Sequence, residues 1–348
     1  MIEQYLNIRH SLRNLTDEDF ENALTQLAIE LETVSYIPQY STEKLVKDWK
    51  DLQAWNTNSE SINSTSRIGL KLCEHFFPNF YDIETKSGKS FNNLWKKDNL
   101  IKILKWNRKS HSTPYLSELK RGVYFCCGLV KNTMYRPQMA KMICDKYKPQ
   151  IVLDPCAGWG GRMLGAVASG AEYIAFEPNT KTFANLNALV KFLQIENKVT
   201  LICDDALRME KYDIPKVDLV LTSPPYFNLE VYAHEPTQSI SSHSDYNNWS
   251  EYFLKELIRL SLDKLKPDGV SCWNVGKVGS TDMNVDVLSY HKSMKYDMAE
   301  EFKVISSKRQ AINKTKNSKS EDTTVIYKMN ASMEKLVNSG DLKFPASA

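Results

Sequence analysis

The segment from Thr222 to Phe227, which reads TSPPYF, carries residue types that suit chemistry on a flat, amine-bearing ring. It follows directly on the apolar run 217–221, and its two prolines hold the backbone extended. Carbonyl groups in such a turn remain free to accept hydrogen bonds, and Tyr226 and Phe227 offer faces for stacking. An ordinary strand-to-loop turn has the same composition. This segment alone leaves both interpretations open.

A second motif, from Asp154 to Arg162, follows the apolar run 151–153 and reads DPCAGWGGR. A glycine-rich turn that opens a helix lets a ligand approach the backbone and the first helical N–H groups. The spacing is not that of a dinucleotide site, and the leading acid repels phosphate but suits an ammonium group or a ribose hydroxyl. S-adenosylmethionine, with an ammonium group and no phosphate, fits this turn. A glycine-rich connection without a ligand is the alternative.

Acidic residues also end the next two predicted strands. The strand 173–176 ends at Glu177, 23 residues after Asp154, where a doubly wound fold places a ribose-binding acid. The strand 199–203 ends at Asp204 and Asp205, and an acid there can accept the adenine amino group. We favour Asp205 for that contact, although either carboxylate also suits a helix cap.

Together these elements resemble the S-adenosylmethionine-dependent amino-methyltransferases that methylate exocyclic nitrogens of DNA bases. Residues 154–160 look like the D-P-x-x-G-x-G cofactor motif of that family, and residues 223–226 look like its D/N/S-P-P-Y/F/W catalytic motif. Residues 135–137 are similar to the aromatic-x-Pro segment that closes over the methionine end of the cofactor. The resemblance covers roughly residues 130–330. It implies an α/β fold, the class I methyltransferase Rossmann-like seven-stranded sheet with an antiparallel last strand.

The resemblance also assigns the site residues. S-adenosyl-L-methionine is the expected cofactor, and no metal is expected. The expected cofactor contacts are Tyr135, Pro137, Asp154, Pro155, Cys156, Ala157, Gly158, Gly160, Glu177, Pro178, Asp204, Asp205 and Ala206. The expected catalytic residues are Ser223, Pro224, Pro225 and Tyr226.

The expected reaction explains the residue types in the catalytic motif, residues 223–226. An exocyclic amino nitrogen is a poor nucleophile because its lone pair is delocalised into the ring. Hydrogen bonds accepted by Ser223 Oγ and the Pro224 carbonyl favour the pyramidal, more nucleophilic nitrogen. Tyr226 stacks on the flipped base, a contact worth roughly 1–3 kcal/mol. No covalent intermediate is needed, and Cys156 lies in the cofactor turn and is not a nucleophile for carbon-5 methylation.

Serine at position 223 favours N4 of cytosine, because serine is more usual there in the cytosine enzymes of the family. A hydroxyl and a carboxylate both accept from an amine, so N6 of adenine remains the alternative. An RNA or protein amide methyltransferase and a non-catalytic cofactor-binding subunit are further alternatives. The expected partner is double-stranded DNA, in a restriction-modification setting.

The predicted organisation has three parts: a mainly helical domain over 1–125, a catalytic domain over 126–330 and a tail over 331–348. Helices are expected over 17–34 and 41–55. Target recognition is assigned to this first domain, where basic and aromatic residues mix over 95–121, to the polar loop 228–248, or to a basic hairpin. Phe227 and the hairpin residues Lys308, Arg309, Lys314 and Lys316 are the expected substrate contacts.

Composition sets wider limits. The net charge of +3 in 348 residues is mild, so nucleic-acid affinity must come from local patches. Seven cysteines lack metal-ligand spacing, which predicts neither zinc nor disulfides. No signal peptide or membrane-spanning apolar stretch is recognised, so a cytoplasmic protein of prokaryotic or phage origin is expected.

Overall fold

The structure is a computed structural model, and it describes residues 15–56, 66–111, 114–129, 132–243, 245–278, 281–305 and 321–330. Contacts divide these residues into two compact units. The first unit holds residues up to Gln39 together with Pro78–Thr133 and Glu230–Tyr232. The second holds Tyr40–Phe77, Met134–Leu229 and the described residues from Ala233 onward. This division differs from the predicted boundary near residue 125, because residues 40–77 belong to the second unit, while residues 126–133 and Glu230–Tyr232 belong to the first.

The described helices are α1 Asp17–Glu32, α2 Thr42–Ala54, α3 Leu70–Phe76, α4 Phe91–Leu94, α5 Lys97–Lys109, α6 Leu116–Cys126, α7 Pro137–Tyr147, α8 Gly161–Ala168, α9 Thr180–Leu193, α10 Tyr246–Trp249, α11 Lys255–Lys264 and α12 Met283–Ser293. A π-helical turn, Ser250–Leu254, joins α10 to α11. Short 3₁₀ turns cover Pro78–Asp82, Ala206–Lys211 and Ser239–Ser241. None of these helices is long and apolar enough to cross a membrane.

The second unit is built on a seven-stranded sheet. The described strands are β1 Ile151–Asp154, β2 Glu172–Phe176, β3 Val199–Ile202, β4 Val217–Thr222, β5 Leu265–Val275, β6 Lys277–Val278, β7 Thr281–Asp282, β8 Tyr296–Ile305 and β9 Glu321–Met329. The sheet order is β3-β2-β1-β4-β5-β9-β8, while β6 and β7 form a separate pair. Within the seven-stranded sheet, β9 is antiparallel to both neighbours and the other pairings are parallel. This confirms the predicted class I methyltransferase topology.

The sheet order places the site. The chain moves outward from β1 to β2 and β3, then returns to β4 on the other side of β1. A ligand binds at such a switch point, outside the carboxyl ends of the strands. Strands β1 and β4 pair directly, with Val152 opposite Leu219 and Leu153 opposite Val220. The two motifs of the sequence follow these two strands and must therefore lie side by side.

Most predicted elements exist with shifted ends. The helix predicted over 17–34 ends at Glu32, and the strand predicted over 199–203 ends at Ile202. Helix α9 ends at Leu193, where Gln194 adopts a left-handed conformation. Helix α10 begins at Tyr246 and is capped by Asp245, which accepts from the Asn248 N–H. Strands β8 and β9 pair from Tyr296 opposite Met329 to Ile305 opposite Glu321.

The first unit is mainly helical and packs around apolar residues of α1, α5 and α6. Thr16 caps α1, its side chain accepting from the Asp19 N–H. Trp95 is buried and its indole N–H donates to the Leu31 carbonyl at 3.0 Å. Several of the basic residues predicted to contact nucleic acid bind partners in this unit: Lys105 with Glu21, Arg108 with Asp17 and Lys120 with the Tyr36 carbonyl.

Candidate active site

The glycine turn, defined as residues 154–160, follows β1 and leads into α8. Gly158 and Gly160 have φ values of 57° and 72°, a left-handed conformation that glycine adopts without a Cβ clash. The Ala157 N–H donates to the Phe176 carbonyl at 2.9 Å, which fixes the turn to the end of β2. The turn thus brings the amino end of α8 to the carboxyl edge of the sheet.

Asp154 is fully buried and its carboxylate accepts four hydrogen bonds. The Oδ1 atom accepts from Cys156 N at 3.0 Å and Thr222 Oγ1 at 2.8 Å. The Oδ2 atom accepts from Arg162 Nε and Tyr173 OH, both at 2.6 Å. These bonds use about all the accepting capacity of a carboxylate. The predicted contact of this carboxylate with an ammonium group or a ribose hydroxyl does not fit this geometry, in which Asp154 instead holds the turn together.

Arg162, the last residue of this motif, was not among the predicted site residues and contacts the glycine turn directly. Its side chain is 6% exposed and its Nη2 donates to the carbonyl of Cys156 and, at 3.4 Å, to that of Ala157. The guanidinium also lies 5.2 Å from the centroid of the Tyr135 ring. A buried arginine needs a carboxylate partner, so the Asp154 to Arg162 spacing was an available signal.

The segment around Tyr135 and Pro137 lies against α8, because two glycines of that helix leave room for it. A Cβ added at Gly161 would lie 2.1 Å from the Tyr135 carbonyl oxygen. One added at Gly165 would lie 2.4 Å from both the Pro137 carbonyl oxygen and the Ala140 Cβ. The structure therefore places the aromatic-x-Pro segment beside the glycine turn.

Glu177 ends β2 and faces the glycine turn. Its side chain accepts from the Gly158 and Asn179 N–H groups, each at 2.9 Å and each on a different carboxylate oxygen. Burial raises the pKa of Glu177 to about 7, despite these two hydrogen bonds. Each oxygen retains a lone pair, and a donor such as a ribose hydroxyl would stabilise the charged form.

The two acids after β3 have different surroundings. Asp205 caps the following 3₁₀ turn, its Oδ1 accepting from Leu207 N at 3.0 Å, and burial raises its pKa. The capping alternative is therefore what the structure shows for Asp205, with Oδ2 left over as an acceptor. Asp204 accepts from Tyr212 OH at 2.8 Å and Arg208 Nη1 at 3.3 Å. Ala206 is buried beside them.

The proline turn, defined as residues 223–227, follows β4. Pro224 is buried, whereas Ser223, Pro225 and Tyr226 are partly exposed. The preceding residue is Thr222, which donates to Asp154 of the glycine turn. A single hydrogen bond of a buried threonine thus joins the two turns at the centre of the sheet edge.

Phe227 has a different place from the one predicted. Its side chain is 6% exposed, and its ring centroid lies 5.9 Å from that of Tyr246 and 5.8 Å from that of Trp249. The backbone at Phe227 has a φ of 47°, a left-handed conformation that turns this side chain inward. Phe227 therefore anchors the turn in the core, and Tyr226 alone supplies a stacking face there.

A second overlooked residue, Asn274, lies near the end of β5. Its Nδ2 is 3.4 Å from Ser223 Oγ and 3.5 Å from Tyr226 OH. Its Oδ1 accepts from Thr324 Oγ1 of β9 at 2.9 Å. The sequence offers no motif for this residue, because the contact depends on the pairing of β5 with β9.

The polar loop after the proline turn is fastened to the cofactor side. Glu235 accepts from Thr180 N at 3.2 Å and Thr180 Oγ1 at 2.8 Å, at the start of α9. Thr237 Oγ1 donates to the Pro178 carbonyl at 3.4 Å. The basic hairpin residues lie outside the described residues, and these are Lys308, Arg309, Lys314 and Lys316.

The thiol of Cys156 and the acidic groups bear on the chemistry that is available. Burial raises the pKa of the Cys156 thiol well above its ordinary value, which disfavours a thiolate nucleophile. In the part of the chain that is described, no group of three His, Cys, Asp or Glu side chains is placed to hold a metal ion. Glu177 and Asp205 offer acceptors, which match the ribose hydroxyls and adenine amine of S-adenosylmethionine.

The strand order, with its antiparallel β9, and the glycine turn after β1 define a class I S-adenosylmethionine-dependent methyltransferase. Residues 217–339 match the DNA methylase family, and residues 128–244 match a family described as conserved hypothetical protein 95. Each match covers about a third of the chain, and together they support a relationship to the S-adenosylmethionine-dependent DNA methyltransferases, with S-adenosylmethionine as the cofactor. The resemblance seen in the sequence is thereby confirmed.

Three solved structures illustrate what the chain is similar to. Precorrin 8w decarboxylase from Methanobacterium thermoautotrophicum is 17% identical with a TM-score of 0.39, over 58% of this chain and 94% of that one. Precorrin-6y C5,15-methyltransferase from Geobacter metallireducens is 16% identical with a TM-score of 0.39, over 58% and 94%. An rRNA methylase from Streptococcus thermophilus is 15% identical with a TM-score of 0.36, over 57% and 99%. No curated protein matches the sequence.

Proposed function

We propose that this chain methylates DNA, moving a methyl group from S-adenosylmethionine to the exocyclic amino nitrogen of a flipped base, with N4 of cytosine as the preferred target. The observation that carries the proposal is the proline turn itself. It places a serine hydroxyl and a partly exposed tyrosine side by side at the carboxyl end of β4, joined through Thr222 to the glycine turn. The DNA methylase match covers this same turn.

The residues on the cofactor side bind and orient. Glu177 accepts the ribose hydroxyls and Asp205 accepts the adenine amine, while Asp154 and Arg162 keep the glycine turn in shape from behind. Tyr135 and Pro137 border the methionine end. When bound, S-adenosylmethionine supplies a methyl group activated by its sulfonium.

The residues of the proline turn act on the target nitrogen. Ser223 Oγ and the Pro224 carbonyl accept its two N–H bonds, which favours the pyramidal nitrogen whose lone pair attacks. Tyr226 stacks on the base and offsets part of the few kcal/mol that flipping costs. Alignment in a fixed geometry supplies much of the remaining rate acceleration, since effective molarities reach about 10⁵–10⁸ M. The nitrogen then loses a proton to water.

The choice of base rests on Ser223. Its hydroxyl has both a donor and two acceptor positions, so it can accept from an amino group and donate to a neighbouring ring nitrogen. Cytosine and adenine both present that edge, and serine in the family resemblance favours cytosine. N6-adenine methylation is the alternative.

The test is to incubate purified protein with methyl-labelled S-adenosylmethionine and duplex DNA or RNA, then identify labelled nucleosides by mass spectrometry. N4-methylcytosine in DNA is the expected product. N6-methyladenine in DNA would overturn the choice of base alone, and label in RNA only, or in neither despite cofactor binding, would overturn the proposal.

A matched pair of serine variants sharpens this experiment. Ser223→Ala should lower turnover about 10- to 100-fold, since losing one partner of a buried hydrogen bond costs about 1–3 kcal/mol. Ser117→Ala, at an exposed position in α6, should leave turnover unchanged. Equal turnover in the two variants would remove Ser223 from the reaction.

A further inference from the structure

Asn274 connects the proline turn to a fully buried side chain on the opposite strand. Asn274 is 8% exposed and pairs across the sheet with Thr324, which is 0% exposed. The Thr324 hydroxyl donates to Asn274 Oδ1 at 2.9 Å. Because the acceptor end of the amide is thereby used, its donor end, Nδ2, faces Ser223 and Tyr226.

We propose that Asn274 is a positioning residue for amino-methyl transfer, and that Thr324 sets the orientation of its amide. This inference rests on the proposed function of Ser223 and Tyr226. An N–H donated to Ser223 Oγ occupies one lone pair of the hydroxyl, which leaves the other in a defined direction for the target amine. The same amide holds Tyr226 OH, and so limits rotation of the stacking ring.

The two donated bonds are long, at 3.4 Å and 3.5 Å, near the upper limit for a hydrogen bond. Catalytic hydrogen bonds are often long in a free enzyme and shorten only when substrate is bound. For these hydrogen bonds to shorten in a defined direction when the base binds, their donor must be held in one orientation. The Asn274 to Thr324 pair, buried in the sheet, provides it.

A matched pair of variants tests the orienting role. Thr324→Val has a similar shape but lacks the hydroxyl, and should lower kcat about tenfold with KM for DNA and Kd for S-adenosylmethionine within twofold of the parent. Thr324→Ser keeps the hydroxyl and should recover most of kcat. Rates are expressed per active site, titrated by cofactor binding, so that misfolded protein does not count. Full kcat in Thr324→Val would overturn the proposal.

The pH profile of Asn274→Asp gives a readout that a merely structural role would not move. An ionised carboxylate has no donor, but a protonated one offers an O–H to Ser223 Oγ. The ratio of variant to parent kcat should therefore rise as pH falls into the carboxyl range. A ratio that stays flat with pH would contradict donation by Asn274.

A spectroscopic measurement separates this inference from the proposed function. In protein labelled with ¹⁵N-asparagine, the side-chain NH₂ signals of Asn274 are assigned by their loss in Asn274→Asp. They should shift in Thr324→Val and in Tyr226→Phe, and stay near their parental positions in Thr324→Ser. If the parent methylates no base yet these shifts appear, the proposed function and the role of Asn274 in methyl transfer both fail, and only the orientation of the Asn274 amide by Thr324 stands. If the parent is active and the signals do not move, the positioning fails alone.

Discussion

The glycine turn and the proline turn meet at one sheet edge but are held in opposite ways. The glycine turn is fixed by the buried carboxylate of Asp154, by Arg162 and by close glycine contacts of α8. The proline turn has two prolines, an apolar anchor at Phe227 and long hydrogen bonds from Asn274. The difference shows where hydrogen-bonding capacity is kept. The accepting capacity of Asp154 is used up in the glycine turn, whereas acceptors remain available in the proline turn.

A saturated buried network makes the glycine turn rigid, because a lost partner leaves a charge or dipole unpaired in a low-dielectric interior. A turn with spare acceptors is less constrained and can complete its bonds with a ligand. Substitutions in the glycine turn should therefore affect stability and cofactor binding together. Substitutions of Ser223 and Tyr226 in the proline turn should affect turnover alone.

The largest effect is expected for Asp154→Ala. The substitution leaves the buried guanidinium of Arg162, whose side chain is 6% exposed, without its carboxylate partner. Removing one partner of a buried ion pair costs about 3–5 kcal/mol, so the free energy of unfolding should fall by that amount in a denaturant titration. Asp51→Ala is the control, since the Lys47–Asp51 pair is exposed and such pairs contribute at most about 1 kcal/mol. Similar losses in both variants would refute the central role of Asp154.

Tyr226→Ala tests the other side of the comparison. Stacking on an aromatic ring is worth roughly 1–3 kcal/mol per base, so turnover should fall about 10- to 100-fold while cofactor affinity and stability hold. Tyr226→Phe keeps the ring and should retain the larger part of the activity. The measurements are single-turnover methylation and calorimetric binding of S-adenosylmethionine. Full activity in Tyr226→Ala would show that the ring does not stack on the base.

Gly161→Ala probes the contact between α8 and the Tyr135 segment. The new Cβ would lie 2.1 Å from a backbone oxygen, so α8 must shift, and overpacking of this kind costs about 1–3 kcal/mol. Cofactor affinity should fall with stability. Gly170→Ala is a useful comparison, because Gly170 has a φ of 92° but nothing within 4 Å. It should lose stability and keep its affinity, and equal losses of affinity would contradict the assignment.

The smallest effect is a pH dependence of cofactor binding. Burial raises the pKa of Glu177 from 4.5 to about 7. Between these pH values Glu177 is protonated in the folded chain and ionised in the unfolded chain, and above them the folded chain carries the buried charge in full. Stability from this group therefore falls as pH rises through that window. Ribose hydroxyls donate to the ionised carboxylate, and only about a tenth of the Glu177 side chains are ionised near pH 6. Affinity for S-adenosylmethionine should be about tenfold weaker near pH 6 than near pH 8.

Calorimetry in two buffers of different ionisation enthalpy measures the proton released on binding in the same pH range. In Glu177→Gln the affinity should be weak and independent of pH. A parent protein whose affinity does not change between these pH values would exclude Glu177 as the ribose contact.

Sequence reasoning recovered the sheet because its signals are local. Each of β1, β2 and β3 ends in an acid or is followed by one within two residues, and β4 is followed by the proline turn. The partners of Asp154 could not be predicted from the sequence, since Tyr173 and Thr222 lie on different strands and are brought to Asp154 only by the sheet order. Asn274 was missed for the same reason, because its partner Thr324 is set by strand register.

Phe227 shows a different limit. Two adjacent aromatic residues suggest a shared function, and their separation depends on one backbone angle. A φ of 47° is uncommon in a residue other than glycine, and nothing in the local sequence predicts it. The sequence likewise did not predict that residues 40–77 belong to the catalytic unit, since the pattern of an amphipathic helix does not indicate which core its apolar face packs against.

The membership of residues 40–77 in the second unit affects the order in which contacting elements are synthesised and the design of a catalytic fragment. Phe77 contacts Trp159 of the glycine turn with ring centroids 6.0 Å apart, and Phe76 contacts Phe192 of α9 at 5.2 Å. Translation therefore produces α2 and α3 before the glycine turn and α9, which residues 76 and 77 contact, have been synthesised. A fragment starting near residue 126 would omit both helices, so a catalytic fragment that folds alone has to carry residues 40–77, joined by a new linker.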